Sequence, residues 1–283
     1  MNNLFYKLGH TIRWGFVPTR YLTLLCSLKF DRIFAHSKQI FSKTSNINQF
    51  GFCNGPIMNN ETLNSIKSIY LPRSAIAVQQ NKKIPFVNLL TEDDLHAENP
   101  VFKLAFSDDV LLPATDYFRG KLSLDSIQVL HSFEIGEKLK ESQLWHLDYG
   151  DRKSFHYIAY LNNVSTTDDG PFVFIDKKSS QKIGRSVFVR RVQDIEVDEK
   201  IANDRVIKFY GNAGSSVFVD PAKCYHFGSR CRNKRLAIFI TFNSWFPFSK
   251  PADMITKNTE KLIQEVIKLR PELNHDFIKS LLL

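Results

Sequence analysis

SQLWHLDYG, residues 142–150, sets an imidazole and a carboxylate, His146 and Asp148, two positions apart. On an extended segment the side chains at i and i+2 project to one face. The pair can therefore offer a nitrogen and an oxygen to one metal ion, with a third ligand drawn from elsewhere in the chain. Two histidines and one carboxylate on one face of an octahedron leave three positions open, which suits non-haem Fe(II) and O2. A His-x-carboxylate pair also arises by chance, so its surroundings decide. His96-Ala97-Glu98 sits in an acidic polar stretch with no β-pattern after it and reads as surface.

The surroundings of His146 are different. A strand pattern follows, FHYIAYL (155–161), then a turn and a second apolar run, TTDDGPFVFI (166–175). Later comes GNAGSSVFVDPAKCYHFGSRCRNKRLAIFITF (211–242), in which a glycine turn leads into SVFVD, a short loop presents His226, and Arg235 opens a further strand. Strands distant in sequence become neighbours in an antiparallel core, so His226 can complete the metal set and Arg235 can point into the same cavity. A guanidinium fork matches a carboxylate through two parallel hydrogen bonds. That is what the distal carboxylate of 2-oxoglutarate requires when its other end chelates iron. Arg230 and Arg232 are nearby competitors that precede the apolar run and read as loop residues.

Short runs rich in Val, Ile, Phe and Tyr begin after Gly120, at 127–135, 154–164, 172–175, 186–191, 206–210, 215–220 and 235–243. Several short strands with turn signals between them indicate a sandwich or barrel. Before them lie two helical patterns. One is capped by Asn59 or Asn60 and carries Leu63, Ile66 and Ile69. The other, SDDVLLPATDYF (107–118), is capped by Ser107 with two aspartates in its first turn. From residue 257 helical spacing returns in Leu262, Ile263, Val266 and Ile267, and Pro271 starts a last helix through Phe277, Ile278 and Leu281. The chain divides into a basic aromatic extension (1–47), an oxygenase domain (48–250) and C-terminal helices packing on it (251–283). At 283 residues it has room for one large core.

The ordered set WHLD, DDGPFVFI, GSSVFVD, His226 and Arg235 resembles the phytanoyl-CoA dioxygenase family over roughly residues 48–245, including GFCNGPIMNNETLNSI (51–66). The resemblance implies a mainly β protein with flanking helices and a double-stranded β-helix, or jelly-roll, core. It implies an Fe(II)- and 2-oxoglutarate-dependent dioxygenase that hydroxylates a C–H bond with O2, with iron on His146, Asp148 and His226 and 2-oxoglutarate on Arg235. Two features depart from the family pattern. Arg235 follows His226 by nine positions, closer than in many relatives, and Asp176-Lys177-Lys178-Ser179 replaces the Pro-Gly-Ser-His common after the turn. Halogenating relatives replace the metal carboxylate with a small residue; Asp148 favours hydroxylation.

Four cysteines, Cys26, Cys53, Cys224 and Cys231, are too few for a disulfide scaffold and fit reduced thiols in a cytoplasmic protein. Cys224 and Cys231 flank His226, where a zinc site is conceivable but short of ligands. The net charge of +9 suits an acidic small-molecule substrate, such as a carrier-bound acyl group, a phosphorylated sugar or an amino acid derivative. It also prompts a rival reading as an AlkB-like nucleic-acid oxygenase, against which stands the lack of a base-stacking module. A second rival is a non-catalytic binding module that keeps the β-core. The basic N-terminal segment has the composition for peripheral membrane contact, though no run there approaches the roughly 20 apolar residues of a membrane span.

Among side residues, Trp145 alternates with the ligands and reads as core, and Tyr149 as a residue of the substrate mouth. His131 reads as structural. Ser229 reads either as a cosubstrate partner or as a brace for its own turn.

Overall fold

A computed structural model of the chain describes Leu22 and residues 42–79, 84–134, 136, 138–184 and 191–282. The expected strand at 186–191 falls almost wholly outside the described residues, as does most of the basic extension, whose composition allows membrane contact. Helix α1 (Ser42–Phe50) runs into strand β1 (Phe52–Asn54) through Gly51. Gly51 has φ +87°, and a Cβ there would stand 2.3 Å from Cys224 Sγ, so this junction requires glycine. Helices α2 (Asn60–Ala75), α3 (Pro100–Ala105) and α4 (Asp108–Tyr117) follow, with β2 (Phe86–Asn88) between α2 and α3. Asn59 caps α2 as expected, its side chain accepting from the Thr62 amide at 2.8 Å. Ser107 precedes α4 but does not cap it, because its hydroxyl donates back to the Leu104 carbonyl.

Strands β3 (Leu122–Ser132), β4 (Ser154–Tyr160), β5 (Phe172–Ile175), β6 (Val206–Phe209), β7 (Ser216–Val219), β8 (His226–Phe227) and β9 (Arg235–Ser244) build two antiparallel sheets. One has six strands in the order β1-β7-β4-β9-β3-β2, the other three in the order β6-β5-β8. Helices α5 (Lys177–Ile183) and α6 (Asp194–Asp198) lie between strands, and α7 (Asp253–Lys257), α8 (Thr259–Leu269) and α9 (His275–Leu282) close the chain. Pro271 does not start the last helix. It lies in the turn after α8, and Asn274 caps α9 by accepting from the Asp276 and Phe277 amides.

The period-2 alternation of β9 divides the molecule. Leu236, Ile238, Ile240 and Phe242 face outward, into one core with Leu63 and Ile66 of α2, Val110 of α4, Leu262 and Val266 of α8, and Ile278 and Leu281 of α9. Burying each such side chain contributes roughly 1.5–3 kcal/mol, so the flanking helices are part of the core and not an attachment to it. The opposite face carries Ile158, Val217 and Val219, which pack on Phe172 and Phe174 of the small sheet. The two sheets therefore meet face to face. Among the described residues no helix is long and apolar enough to cross a membrane.

Asp220, fully buried at the end of β7, ties these layers together. Its carboxylate accepts from Tyr117 Oη of α4 at 2.5 Å, from the Ser154 amide of β4 at 3.2 Å and from the Ala222 amide at 3.0 Å, and it pairs with Lys223 Nζ at 3.3 Å. Replacing it strands several buried donors at once. Asp220→Ala is expected to cost about 3 kcal/mol in urea denaturation of the metal-free protein. A loss below about 1 kcal/mol would show that the turn holds without it.

Candidate active site

The turn that Asp220 fixes delivers the site. The Asp148 amide donates to the Pro221 carbonyl at 2.9 Å, and the His146 and His226 backbones exchange two hydrogen bonds of 3.0 Å each. His226 is also held from the other side, where β8 pairs with β5 and places His226 opposite Phe174. Alternation then sorts the side chains. Trp145 and Leu147 turn away from the site into a cluster with Val173, Ile175, Tyr225 and Phe227, and the Trp145 and Phe227 rings meet edge to face at 4.5 Å. His146 and Asp148 turn toward His226.

Ligand atoms of His146, Asp148 and His226 all lie within 4.8 Å of one another. Asp148 Oδ1 is 3.7 Å from each Nε2. The imidazoles are pre-set for metal. His146 Nδ1 lies 2.8 Å from the Leu144 carbonyl and His226 Nδ1 lies 3.0 Å from the Cys224 carbonyl. A carbonyl only accepts, so Nδ1 carries the proton and Nε2 presents its lone pair to the shared space. Burial, foremost, holds both imidazoles down to about 3, neutral at physiological pH. Neither Cys224 nor Cys231 joins the group: burial raises both thiols, and their sulfurs face backbone carbonyls. The zinc alternative thus lacks its cysteines.

A third histidine was not legible as part of the site. His156 Nε2 lies 3.6 Å from Asp148 Oδ2, the carboxylate oxygen turned away from the other two rings. Asp148 therefore offers Oδ1 to a metal while Oδ2 faces His156. The alternation of FHYIAYL, with His156, Ile158 and Tyr160 on one face, was the signal that marks it.

Arg235 is 1% exposed at the start of β9, opposite Ser132 of β3. Its Nη1 donates to the Gly170 carbonyl at 2.6 Å and its Nη2 lies 3.2 Å from both Ser132 Oγ and Ser229 Oγ. Gly170, at φ +66°, is packed so that a Cβ would meet that of Cys231 at 2.5 Å. Arg235 Nε is buried and has no hydrogen-bond partner among the described residues. A buried, unpartnered donor on a cation is expensive, and a bound carboxylate is the natural remedy. The two competitors are occupied: Arg230 forks onto Asp194 at 2.8 and 2.9 Å, and exposed Arg232 faces Asp168. Phe172 bridges the two parts of the site, its ring 5.5 Å from that of His226 and close to Gly228 beside Arg235. His131 lies on the other face of β3, bonded to Ser74 Oγ, as a structural residue should. Ser229, at φ +60°, sets its hydroxyl against Arg235 Nη2 and Ser132 Oγ.

No protein-family model matches the chain, and no curated protein matches it. Solved structures do. EctD from S. alaskensis, solved with 2-oxoglutarate and 5-hydroxyectoine, is 17% identical over 77% of this chain and 83% of its own, with a TM-score of 0.51. AviO1 from Streptomyces viridochromogenes Tue57 is 17% identical over 75% of this chain and 96% of its own, with a TM-score of 0.48. HygX from Streptomyces hygroscopicus, solved with nickel and 2-oxoglutarate, is 13% identical over 71% and 86%, with a TM-score of 0.47. The likeness to EctD shows a shared fold.

Asp125 and Asp151 lie beyond Asp148. Burial, then the Asp148 charge, pushes the Asp125 carboxyl up to about 7, and burial pushes Asp151 up to about 6. Between roughly pH 4 and 7 folded Asp125 keeps a proton that the unfolded chain has released, so its contribution to stability is full below that window and is lost as pH rises through it. Asp125→Asn cannot lose it. The melting temperature of the metal-free variant, relative to wild type, is expected to climb between about pH 4.5 and 7.5. A difference that stays flat would mean that Asp125 titrates as an ordinary carboxylate.

Proposed function

We propose that the chain is a non-haem iron oxygenase that uses 2-oxoglutarate, built on a double-stranded β-helix, and that it hydroxylates a C–H bond of a small molecule. The observation that carries this reading is the joint presence of a His-Asp-His group with both Nε2 lone pairs turned inward and a buried arginine whose Nε has no partner among the described residues. The donor set fits Fe(II), and the open Nε edge of the guanidinium fits a carboxylate. The 2-oxoglutarate present in the EctD structure supports the same cosubstrate here. When bound, iron, 2-oxoglutarate and O2 supply the oxidising power, 2-oxoglutarate leaving as succinate and CO2. The ordered motifs from WHLD to Arg235 support a place in the phytanoyl-CoA dioxygenase family.

The chain's own residues do the positioning. His146, Asp148 and His226 would hold iron facially, with His156 keeping the second Asp148 oxygen occupied. Arg235 would meet the distal carboxylate of 2-oxoglutarate through Nε and Nη2, the edge of the fork not spent on Gly170, and the Ser132 and Ser229 hydroxyls can donate alongside. Tyr160 contributes no proton: its hydroxyl already donates to the Phe209 carbonyl and accepts from the Phe172 amide. The apolar wall of Ile158 and Phe172 keeps water from the space between.

Anaerobic titration with Fe(II) and 2-oxoglutarate tests this reading through the weak visible charge-transfer band of a chelated cosubstrate. The band is expected in wild type and absent in His146→Ala. Arg235→Ala should need at least about tenfold more 2-oxoglutarate, because a charge-assisted pair is lost. Arg235→Lys should recover only part of the affinity, since the ammonium lacks the fork. Folded wild-type protein with no band and no iron affinity would end the oxygenase reading.

A further inference from the structure

Alternation along β9 sets Arg235, Ala237, Phe239, Thr241 and Asn243 on the interior face. Arg235 and Thr241 are separated by roughly 20 Å of extended strand. At the Thr241 end, beside Asp148, lies a cavity of about 400 Å³, a size suited to a small metabolite. Its wall is polar. Ser126, Thr241 and His156 form one row across β3, β9 and β4. Thr241 is 6% exposed, and its hydroxyl meets no partner among the described residues; the Gln128 amide, on the same wall, also meets none. Both groups border the cavity, the Gln128 side chain on a half-buried residue, so a ligand there can engage them.

Asp125 enters this cavity through a local defect. Neighbouring strand residues face opposite ways, yet Asp125 and Ser126 both line the cavity because the β3–β9 register shifts between Leu124 and Ser126. Bulges re-aim side chains in this manner beside active sites. The re-aimed carboxyl receives only neutral partners, the Asn243 amide at 3.0 Å and the Ser126 side chain. No lysine or arginine of the described residues forms an ion pair with it. Lys250, on the cavity rim, is paired with Asp253 at 2.8 Å. By contrast Asp151, deeper in the wall, has both oxygens engaged by the Arg152 and Ser244 amides and serves the fold.

We propose that this cavity is the prime-substrate pocket and that it takes a small hydroxylated molecule bearing a cationic nitrogen, seated against Asp125, with Thr241 and Gln128 binding its hydroxyl groups. The inference rests on the oxygenase reading, which makes the space beside Asp148 the place where a C–H bond must be presented. It replaces the acidic substrate suggested by the net charge of +9, because the excess of basic residues does not line this pocket. An anionic substrate here would face Asp125 and Asp148 together.

Glucosamine, glucose and glucuronate, three sugars of similar size that differ in charge, test the proposal. Protein held anaerobically with Fe(II) and 2-oxoglutarate is titrated with each, following melting temperature and heat of binding, while the visible band reports the cosubstrate separately. Glucosamine is expected to bind best, glucose weakly and glucuronate least. Asp125→Asn should weaken glucosamine by about tenfold, the loss of one charge-assisted contact, with the 2-oxoglutarate affinity unchanged. Thr241→Val, nearly isosteric, should weaken glucosamine and glucose alike. Equal or tighter binding of glucuronate or glucose, glucosamine binding indifferent to Asp125, or no binding of glucosamine would overturn the proposal. A missing band with Asp125-dependent glucosamine binding still present would bring down the iron reading and leave the cation pocket standing.

Discussion

Two hydrogen bonds between the His146 and His226 backbones hold the site together. They join segments far apart in sequence, and everything chemical in the molecule follows from their register. A shift of one residue would turn His146 and Asp148 into the Trp145–Phe227 cluster and bring the indole inward, since strand neighbours face opposite ways. The register is locked from three directions: by the Asp148 amide on the Pro221 carbonyl, by Asp220 beneath that turn, and by β5 on the far side of β8. The His-Asp-His group is thus arranged by main-chain geometry alone.

Such preorganisation has a cost in the metal-free state. Two neutral imidazoles and a carboxylate converge with no cation between them, and Asp125 and Asp151 stand nearby with carboxyls raised by burial. A divalent cation at the centre would remove several of these penalties at once, and its binding would then be linked to the stability of the fold. Arg235 shows the same economy with opposite charge: its Nη atoms are bonded, and its buried Nε has no partner among the described residues.

The fold was largely legible because β4, β5, β7 and β9 are apolar runs bounded by turn residues, and HxD with a distant histidine and arginine could be ordered along them. What escaped has physical causes. The first half of β3 was hidden because Ser123 and Ser126 face the interior, and interior polar residues read as loop. His156 sits in an apolar strand, where a lone histidine looks like packing. Asp125 was invisible as a pocket residue because only the bulge, a tertiary feature, turns it inward. The start of α9 was misplaced because Pro271 is a strong signal and Asn274, the actual cap, a quiet one. The net charge does not reach the substrate, because a sum over the surface says nothing of which residues line one cavity.

The interior of the large sheet is chemically graded along β9. A cationic end, Arg235 with Ser132 and Ser229, passes through an apolar middle, Phe239 and Ile158, to a polar end of Thr241, Asn243 and the Asp125 carboxyl. A dianionic cosubstrate would be drawn to the Arg235 end, and a cationic substrate would favour the ionised form of the Asp125 carboxyl at the other. The apolar middle sharpens the sorting, since charges interact more strongly across a medium of low dielectric than through water. The His-Asp-His group is where the two molecules would meet. One strand, by alternation and by the order of its side chains, can therefore set which ligand lies on which side of the metal.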